Sequence, residues 1–328
     1  MASAWVVLFH LNEPIAYVDN PYRAFVKYGA LGVPIFFVVS GYCIAMAAQD
    51  CKNPFEFYTR RFFRIFPMYW FSLLVVMGCV IFHLCLFGQN PIVPLPTTVK
   101  EVAATLSLMT RPFTSTITVN WVYWSLTVEI FFYLVVGLGL FLNKRFRFLF
   151  LVSVSVLAFI PNMDSLRALF FIRDWAQFGM GIGLFGIFHE KKYKTLSWVL
   201  LIVNFFALYS RHQFDSWAIS GFCGVAAIAI SLLWSDLPKN PVSRLGDYAY
   251  SVYLIHVPIG VYIMGLLKTA FIQKNIVYNI LFDLGVLALM LFLGLYAFKY
   301  LEIPAINFGK KLSKKIYSKR PLTPMQVS

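Results

Sequence analysis

Between Ile65 and Phe87 the chain reads IFPMYWFSLLVVMGCVIFHLCLF, without one Asp, Glu, Lys or Arg. At about 1.5 Å rise per residue, a helix of that length crosses the roughly 30 Å hydrocarbon layer of a bilayer. Backbone polar groups in lipid must be satisfied internally, and a helix does so within one segment. Similar runs recur along the whole chain. With 60% hydrophobic and 13% charged residues, against about 45–50% and 25% in soluble domains, no larger soluble core accounts for the excess. The sequence predicts an all-α, polytopic membrane bundle.

Ten spans are expected, near 2–19, 29–48, 65–87, 120–142, 148–160, 169–188, 195–210, 216–234, 248–267 and 276–298. The start, MASAWVVLFHLNEP, lacks the basic region and small-residue cleavage site of a leader, and reads as a retained first span. The five cysteines are scattered singly, with no metal-ligand spacing. No internal repeat or soluble domain interrupts the pattern. The outer segment 88–119 opens with GQNPIVPLPTT and holds a helix-like VKEVAATLSLM, suited to a lid or half-buried hairpin. Residues 1–308 are expected to form one membrane domain, 309–328 a basic cytoplasmic tail, and the final PLTPMQVS a disordered end.

The net charge of +14 does not point to nucleic acid, because of how it is distributed. Nineteen of the 28 Lys and Arg residues fall on one side of the expected spans, in the segments near 52–64, 144–147, 191–194 and 239–244 and in the tail. That bias places both termini in the cytoplasm. Most of these charges set orientation and meet lipid headgroups.

Three ionisable residues stand well inside expected spans: His10, Glu129 and His256. Each lies about 12–14 Å deep at helical rise. A buried carboxylate in lipid costs roughly 2.5–3.5 kcal/mol on insertion scales, so such residues face a bundle interior or an aqueous cavity. Glu129 has Ser125 one turn back and Trp121 a further turn away; it is either a structural carboxylate between helices or a functional one. His10 has Glu13 three residues on, close enough to orient the imidazole; the plainer reading is a satisfied interhelical donor. In YAYSVYLIHVPI, Tyr250, Tyr253 and His256 recur on one face for packing or for binding, and Pro258 should bend the helix. Arg60, Arg61 and Arg64, in FEFYTRRFFRIFPMYW, suit either phosphate recognition or an interfacial helix with snorkelling arginines. No Walker loop, H-E-x-x-H, G-x-S-x-G or run of gating arginines is present.

Taken in order, VVLFH (6–10), LGVPIFFVVSGYCIA (31–45), RRFFRIFPMYW, VYWSLTVEIFFYL, YAYSVYLIHVPI and YLEIPAINFGKKL (300–312) resemble the motifs of the acyltransferase-3 family of integral-membrane O-acyltransferases. The family acylates O-antigens and other extracellular glycans. The resemblance implies an acyl group, acetyl by family default, passed from cytoplasmic acetyl-CoA or another acyl-CoA to a hydroxyl of a carbohydrate or lipid-linked glycan on the outer side. It implies a bacterial inner-membrane location, with lipids as neighbours, no metal and no nucleic acid. His10 aligns with the family's catalytic histidine, with Glu13 and Glu129 as its acidic partners. Arg60, Arg61 and Arg64 align with donor-binding arginines. Ser40, Trp124, Ser125, Tyr253 and His256 are assigned to the substrate path. The family's basic residue upstream of the histidine would precede Met1, and Ile130 replaces a common second acid. The rival readings are a transporter or flippase with midplane ionisable sites, and an inactive family member.

Overall fold

The computed structural model describes residues 2–13, 20–90, 92–234 and 244–317, and every regular element among them is helical. Pro14 and the rest of the first expected span, Pro91, Lys239 and the terminal PLTPMQVS lie outside the described residues.

Helix α1 (Ala2–His10) leads through a turn at Leu11–Glu13. Short α2 (Pro21–Val26) and α3 (Gly32–Gln49) follow. The 34-residue α4 (Pro54–Phe87) starts where the Asn53 side chain accepts from the Glu56 N–H at 2.8 Å, with Pro54 in the first turn. It ends at Gly88, whose φ of 69° is the left-handed C-cap conformation that glycine adopts freely. The arginine stretch and the following apolar run are therefore one helix, about 51 Å long, and not a span preceded by a separate interfacial segment.

The outer segment contains α5 (Val99–Leu106), opened by a capping box between Thr98 and Glu101. Backbone N–H groups of Thr97 and Thr98 hold the Glu101 carboxyl below its ordinary pKa. Next come α6 (Tyr123–Gly139), α7 (Lys144–Leu157), α8 (Trp175–His189), α9 (Lys194–His212) and α10 (Ser216–Leu233). Helix α11 (Ala249–Ile255) changes to π-helix at His256–Ile263, two residues before Pro258, the proline expected to disturb it. After α12 (Ala270–Lys274), α13 (Ile276–Ala297) continues through a π-turn at Phe298–Glu302 into α14 (Ile303–Tyr317). Half of the expected basic tail is thus helical: Gly309 of α14 approaches Phe63 of α4, and Ser313 accepts from Arg60.

Six helical stretches among the described residues are long and apolar enough to cross a membrane: 21–49, 54–87, 191–212, 216–233, 249–267 and 276–317. Helix α6 is apolar but one residue shorter than that length. The first expected span does not run through to residue 19 as one helix, because α1 stops at His10. There the Asn12 amide donates to the Leu8 carbonyl, and Pro14 disfavours helical geometry at the residue before it.

Helix α3 is central, packed against α1, α6, α8 and α10. Gly41 of α3 and Gly181 of α8 allow the two backbones to touch: a β-carbon on Gly41 would meet the Phe178 carbonyl, and one on Gly181 the Val38 carbonyl. Small residues at helix crossings are the usual means of such approach in membranes. Phe37, Phe132 and Phe178 close the space beside the crossing, with Phe132 and Phe178 stacked at 4.2 Å. Gly41→Leu is expected to destabilise the detergent-solubilised protein by about 1–3 kcal/mol or more through overpacking. Gly78→Ala, which meets no atom within 4 Å, should melt with the wild type; equal melting of both variants would contradict the crossing.

Candidate active site

Helix α6 carries Ser125, Glu129 and Tyr133 at successive intervals of four, so their side chains stack along one face over about 12 Å. Each is buried. The Glu129 Oε1 accepts from Ser40 Oγ of α3 and from Tyr133 Oη, both at 2.6 Å. These two hydroxyls supply the compensation that a carboxylate at this position needs. At one end of the stack Ser125 Oγ lies 2.7 Å from the Tyr253 hydroxyl, which also donates to the Val122 carbonyl at 3.0 Å.

Tyr253 leads to a pair of histidines. Its ring centroid is 5.5 Å from that of His256, which is 5.2 Å from that of His10. A backbone carbonyl only accepts, so the 2.7 Å contact from His256 Nδ1 to the Tyr253 carbonyl requires a proton on Nδ1. The other nitrogen, Nε2, is buried without a hydrogen-bond partner among the described residues. His10 Nδ1 lies 2.9 Å from Glu13 Oε2 and 3.4 Å from the Trp121 indole nitrogen. One nitrogen cannot both donate to the carboxylate and accept from the indole. The shorter, carboxylate contact fixes Nδ1–H, leaving His10 Nε2 with its lone pair available.

At the other end of the stack stand the three arginines of α4, with different surroundings. Arg60 is paired with Glu56 of its own helix, and Arg64 with Glu302 of the π-turn. Glu302 also accepts from Ser251 Oγ at 2.5 Å. Arg61 makes no ion pair or hydrogen bond among the described residues; its guanidinium carbon sits 5.8 Å from the Tyr133 ring centroid and 6.0 Å from that of Phe57, and its Nε is buried and unmatched. Beside it a groove of about 570 Å3 runs between α4, α6 and α14, with Tyr58, Phe66, Ile130 and Leu312 on its walls and Arg61 and Tyr133 among its polar lining.

Of the residues singled out from sequence, His10, Glu13, His256, Tyr253 and Ser125 thus form one contiguous group. Ser40 and Glu129 continue it through α6, and Arg61 approaches from the far side through Tyr133. No hydrogen bond joins His10 to Glu129 among the described residues; the acid that orients His10 is Glu13. Arg60 and Arg64 are committed to acids, and Trp124 points to Phe37 and to a second cavity. Among the described residues no group of His, Cys, Asp or Glu is arranged to hold a metal ion.

A network absent from the sequence reading secures the turn after His10. Lys268 Nζ donates to Asp283 at 2.5 Å, to the Leu11 carbonyl at 3.1 Å and to Asn12 Oδ1 at 3.2 Å. Asn12 Nδ2 and the Tyr22 hydroxyl donate to the second Asp283 oxygen at 2.6 and 2.9 Å. Asp283 is wholly buried and Lys268 nearly so. The signal was available: Asp283 is the lone acid in the apolar run of α13, as Glu129 is in α6. Lys268 was legible only as a loop charge.

The sequence model of the acyltransferase domain family matches residues 1–299. The chain is 24% identical over 293 residues to an "O-acetyl transferase" of Shigella phage Sf6, covering 83% of this chain and 86% of the relative. It is 31% identical over 110 residues to "Acyltransferase MdmB" of Streptomyces mycarofaciens, covering 32% of this chain and 27% of that relative. No solved structure matches. Because the family match runs from the first helix to the π-turn at Phe298, the chain belongs to the acyltransferase-3 family, and its activity is acyl transfer.

Proposed function

We propose that this protein moves an acyl group, acetyl in the first instance, from cytoplasmic acyl-CoA to a hydroxyl of a carbohydrate acceptor on the outer side of a bacterial inner membrane. In this reading residues 1–308 form one catalytic membrane unit of about ten spans, with both termini and the basic C-terminal segment in the cytoplasm. The charge bias of the sequence supports that orientation. The phage relative, an O-acetyl transferase along most of its length, supports an oxygen acceptor and an acetyl donor.

The observation that carries the reading is the His10–Glu13 contact at 2.9 Å, which places the proton on Nδ1 and leaves Nε2 as the lone-pair nitrogen of a ring whose centroid is 5.2 Å from that of the buried His256. His10 Nε2 takes the proton of the acceptor hydroxyl as its oxygen attacks the thioester carbonyl. The C–S bond then breaks, and the imidazolium returns its proton to the departing thiolate. Glu13 holds the tautomer and stabilises the imidazolium. Attack by His10 itself, giving an acyl-imidazole that the acceptor oxygen then resolves, uses the same atoms. The donor enters from the Arg61 end, where an unmatched guanidinium at the mouth of an apolar groove suits a phosphate followed by a less polar arm. Arg60 and Arg64 shape that mouth through Glu56 and Glu302.

Transfer of radiolabelled acetyl from acetyl-CoA to a glycan fraction, followed with purified protein in proteoliposomes, tests this directly. Arg61→Ala is expected to raise KM for the donor roughly ten- to a hundredfold, the range of hydrogen bonds to a charged group, with a smaller change in kcat. Arg64→Ala should chiefly lower stability, because it leaves Glu302 buried and unpaired. An unchanged donor KM in Arg61→Ala would move the donor site elsewhere.

A further inference from the structure

Trp124 and Ser125 adjoin on α6 but, about 100° apart around the helix, serve different spaces. Ser125 faces Tyr253 and the histidines, whereas Trp124 lines a cavity of about 350 Å3 with Trp217, Phe170, Asp164, Arg173 and Asp174. That volume is at the small end of ligand clefts, which run roughly 300–1,000 Å3.

Asp174 is the residue that marks this cavity as a site. It occupies the N-cap position of α8, where an aspartate ordinarily accepts from the backbone of its own first turn, but it makes no such bond. Its carboxylate accepts no hydrogen bond from any described residue, although the residue is only 5% exposed. A carboxylate that opens onto a cavity with no donor from the described residues is an acceptor available to a ligand hydroxyl. Trp217 is held in place: the fully buried Gln177 amide lies between the Asp174 carbonyl and the Trp217 indole nitrogen, at 2.9 and 3.0 Å, and the orientation that satisfies both has its nitrogen donating to the carbonyl and its oxygen accepting from the indole. The other acid, Asp164, is already partly engaged by Arg211 at 3.4 Å. The lining therefore joins aromatic faces to two carboxylates, Asp174 without a donor among the described residues and Asp164 held at one oxygen by Arg211, with Arg173 offsetting the acidic charge.

We propose that this cavity is a subsite for a neutral pyranose of the acceptor glycan, distinct from the sugar that is acylated; the proposal rests on the acyl-transfer reading above. Ring C–H faces stack on indoles, and hydroxyls donate to carboxylates. The cavity is separated from the Ser125–Tyr253–His10 group by the body of α6, about 10–12 Å across. A ligand engaging both must be a chain of sugars laid over the start of α6, which makes the natural acceptor an oligosaccharide or polymer and not a free monosaccharide.

The test uses the full-length protein in detergent, with methyl glucoside, methyl galactoside and methyl mannoside as probes, N-acetylneuraminic acid as a charged comparison, and saturation-transfer NMR as readout. At least one neutral pyranoside should bind saturably and better than the charged sugar. Asp174→Asn and Trp217→Ala should each weaken it tenfold or more, while Trp217→Phe, which keeps an aromatic face, weakens it less. His10→Ala should bind as wild type. Wild-type affinity in both Asp174→Asn and Trp217→Ala overturns the proposal, as does absence of binding by every neutral pyranoside. Acyl transfer measured on the same preparations separates the two readings. Transfer that depends on His10 without sugar binding removes only this subsite, whereas sugar binding with a fully active His10→Ala removes only the proposed base.

Discussion

Replacing His10 by alanine is expected to reduce acyl transfer by about 10²–10⁴-fold, the usual contribution of a positioned general base, and to leave the melting temperature close to that of the wild type. The stability expectation follows from the contacts. The His10 imidazole is at the last position of α1, its carboxylate partner Glu13 is half-exposed, and among the described residues neither side chain joins two helices by a hydrogen bond, the protonated Nδ1 being only in contact with the Trp121 indole at 3.4 Å. Glu13→Gln should fall between wild type and His10→Ala: an amide oxygen can still accept from Nδ1–H, but the charge that steadies the imidazolium is gone. The loss should appear in kcat, with the donor KM little changed, since the arginine end is two helical turns away along α6. A His10→Ala protein that kept more than a tenth of its turnover would end the general-base assignment.

Asp283→Asn is expected to destabilise the protein by about 3–5 kcal/mol, the cost of leaving one member of a buried ion pair uncompensated. Lys268 would retain the Leu11 carbonyl and Asn12 Oδ1 but face an amide where it now meets a carboxylate at 2.5 Å. Removing both charges in Lys268→Met/Asp283→Leu should recover part of the stability, because apolar pairs of similar volume replace buried ion pairs at little net cost, the rest being withheld by Asn12 and the Tyr22 hydroxyl, which lose their Asp283 acceptor. Activity should not recover with it. The Leu11 carbonyl and Asn12 Oδ1 lose the ammonium that fixes the turn, so His10 is held less well and a misplacement near 1 Å costs about a hundredfold. Thermal melting in detergent and transfer rates on the same preparations read the two effects separately. A double variant as unstable as the single one would show that the pair's charge is not what the turn depends on.

Much of the candidate site was legible because lipid makes exceptions conspicuous. In an apolar chain Glu129, His10 and His256 stand out by cost alone, and the motif resemblance supplied their order. What periodicity could not give was partnership. Glu129 is satisfied by Ser40 and Tyr133, residues 89 positions away and one turn away, and only the first of these had been singled out. The three arginines read alike in sequence, yet two are neutralised by Glu56 and Glu302 while Arg61 meets no acid among the described residues. Trp124, grouped with Ser125 by adjacency, serves another cavity, because neighbours on a helix point about 100° apart.

The sequence by itself determined that this chain is a bundle of apolar helices with a few ionisable groups in its interior, since the costs of exposing backbone and charge to lipid are properties of residues one at a time. Tertiary structure alone decided that Lys268 and Asp283 would clamp the turn behind His10, and that Arg61, among the described residues, would find no acid. Those outcomes depend on which groups from distant helices come within about 3 Å of one another, and hydrophobic spacing along one helix carries no record of the residue facing it on the next.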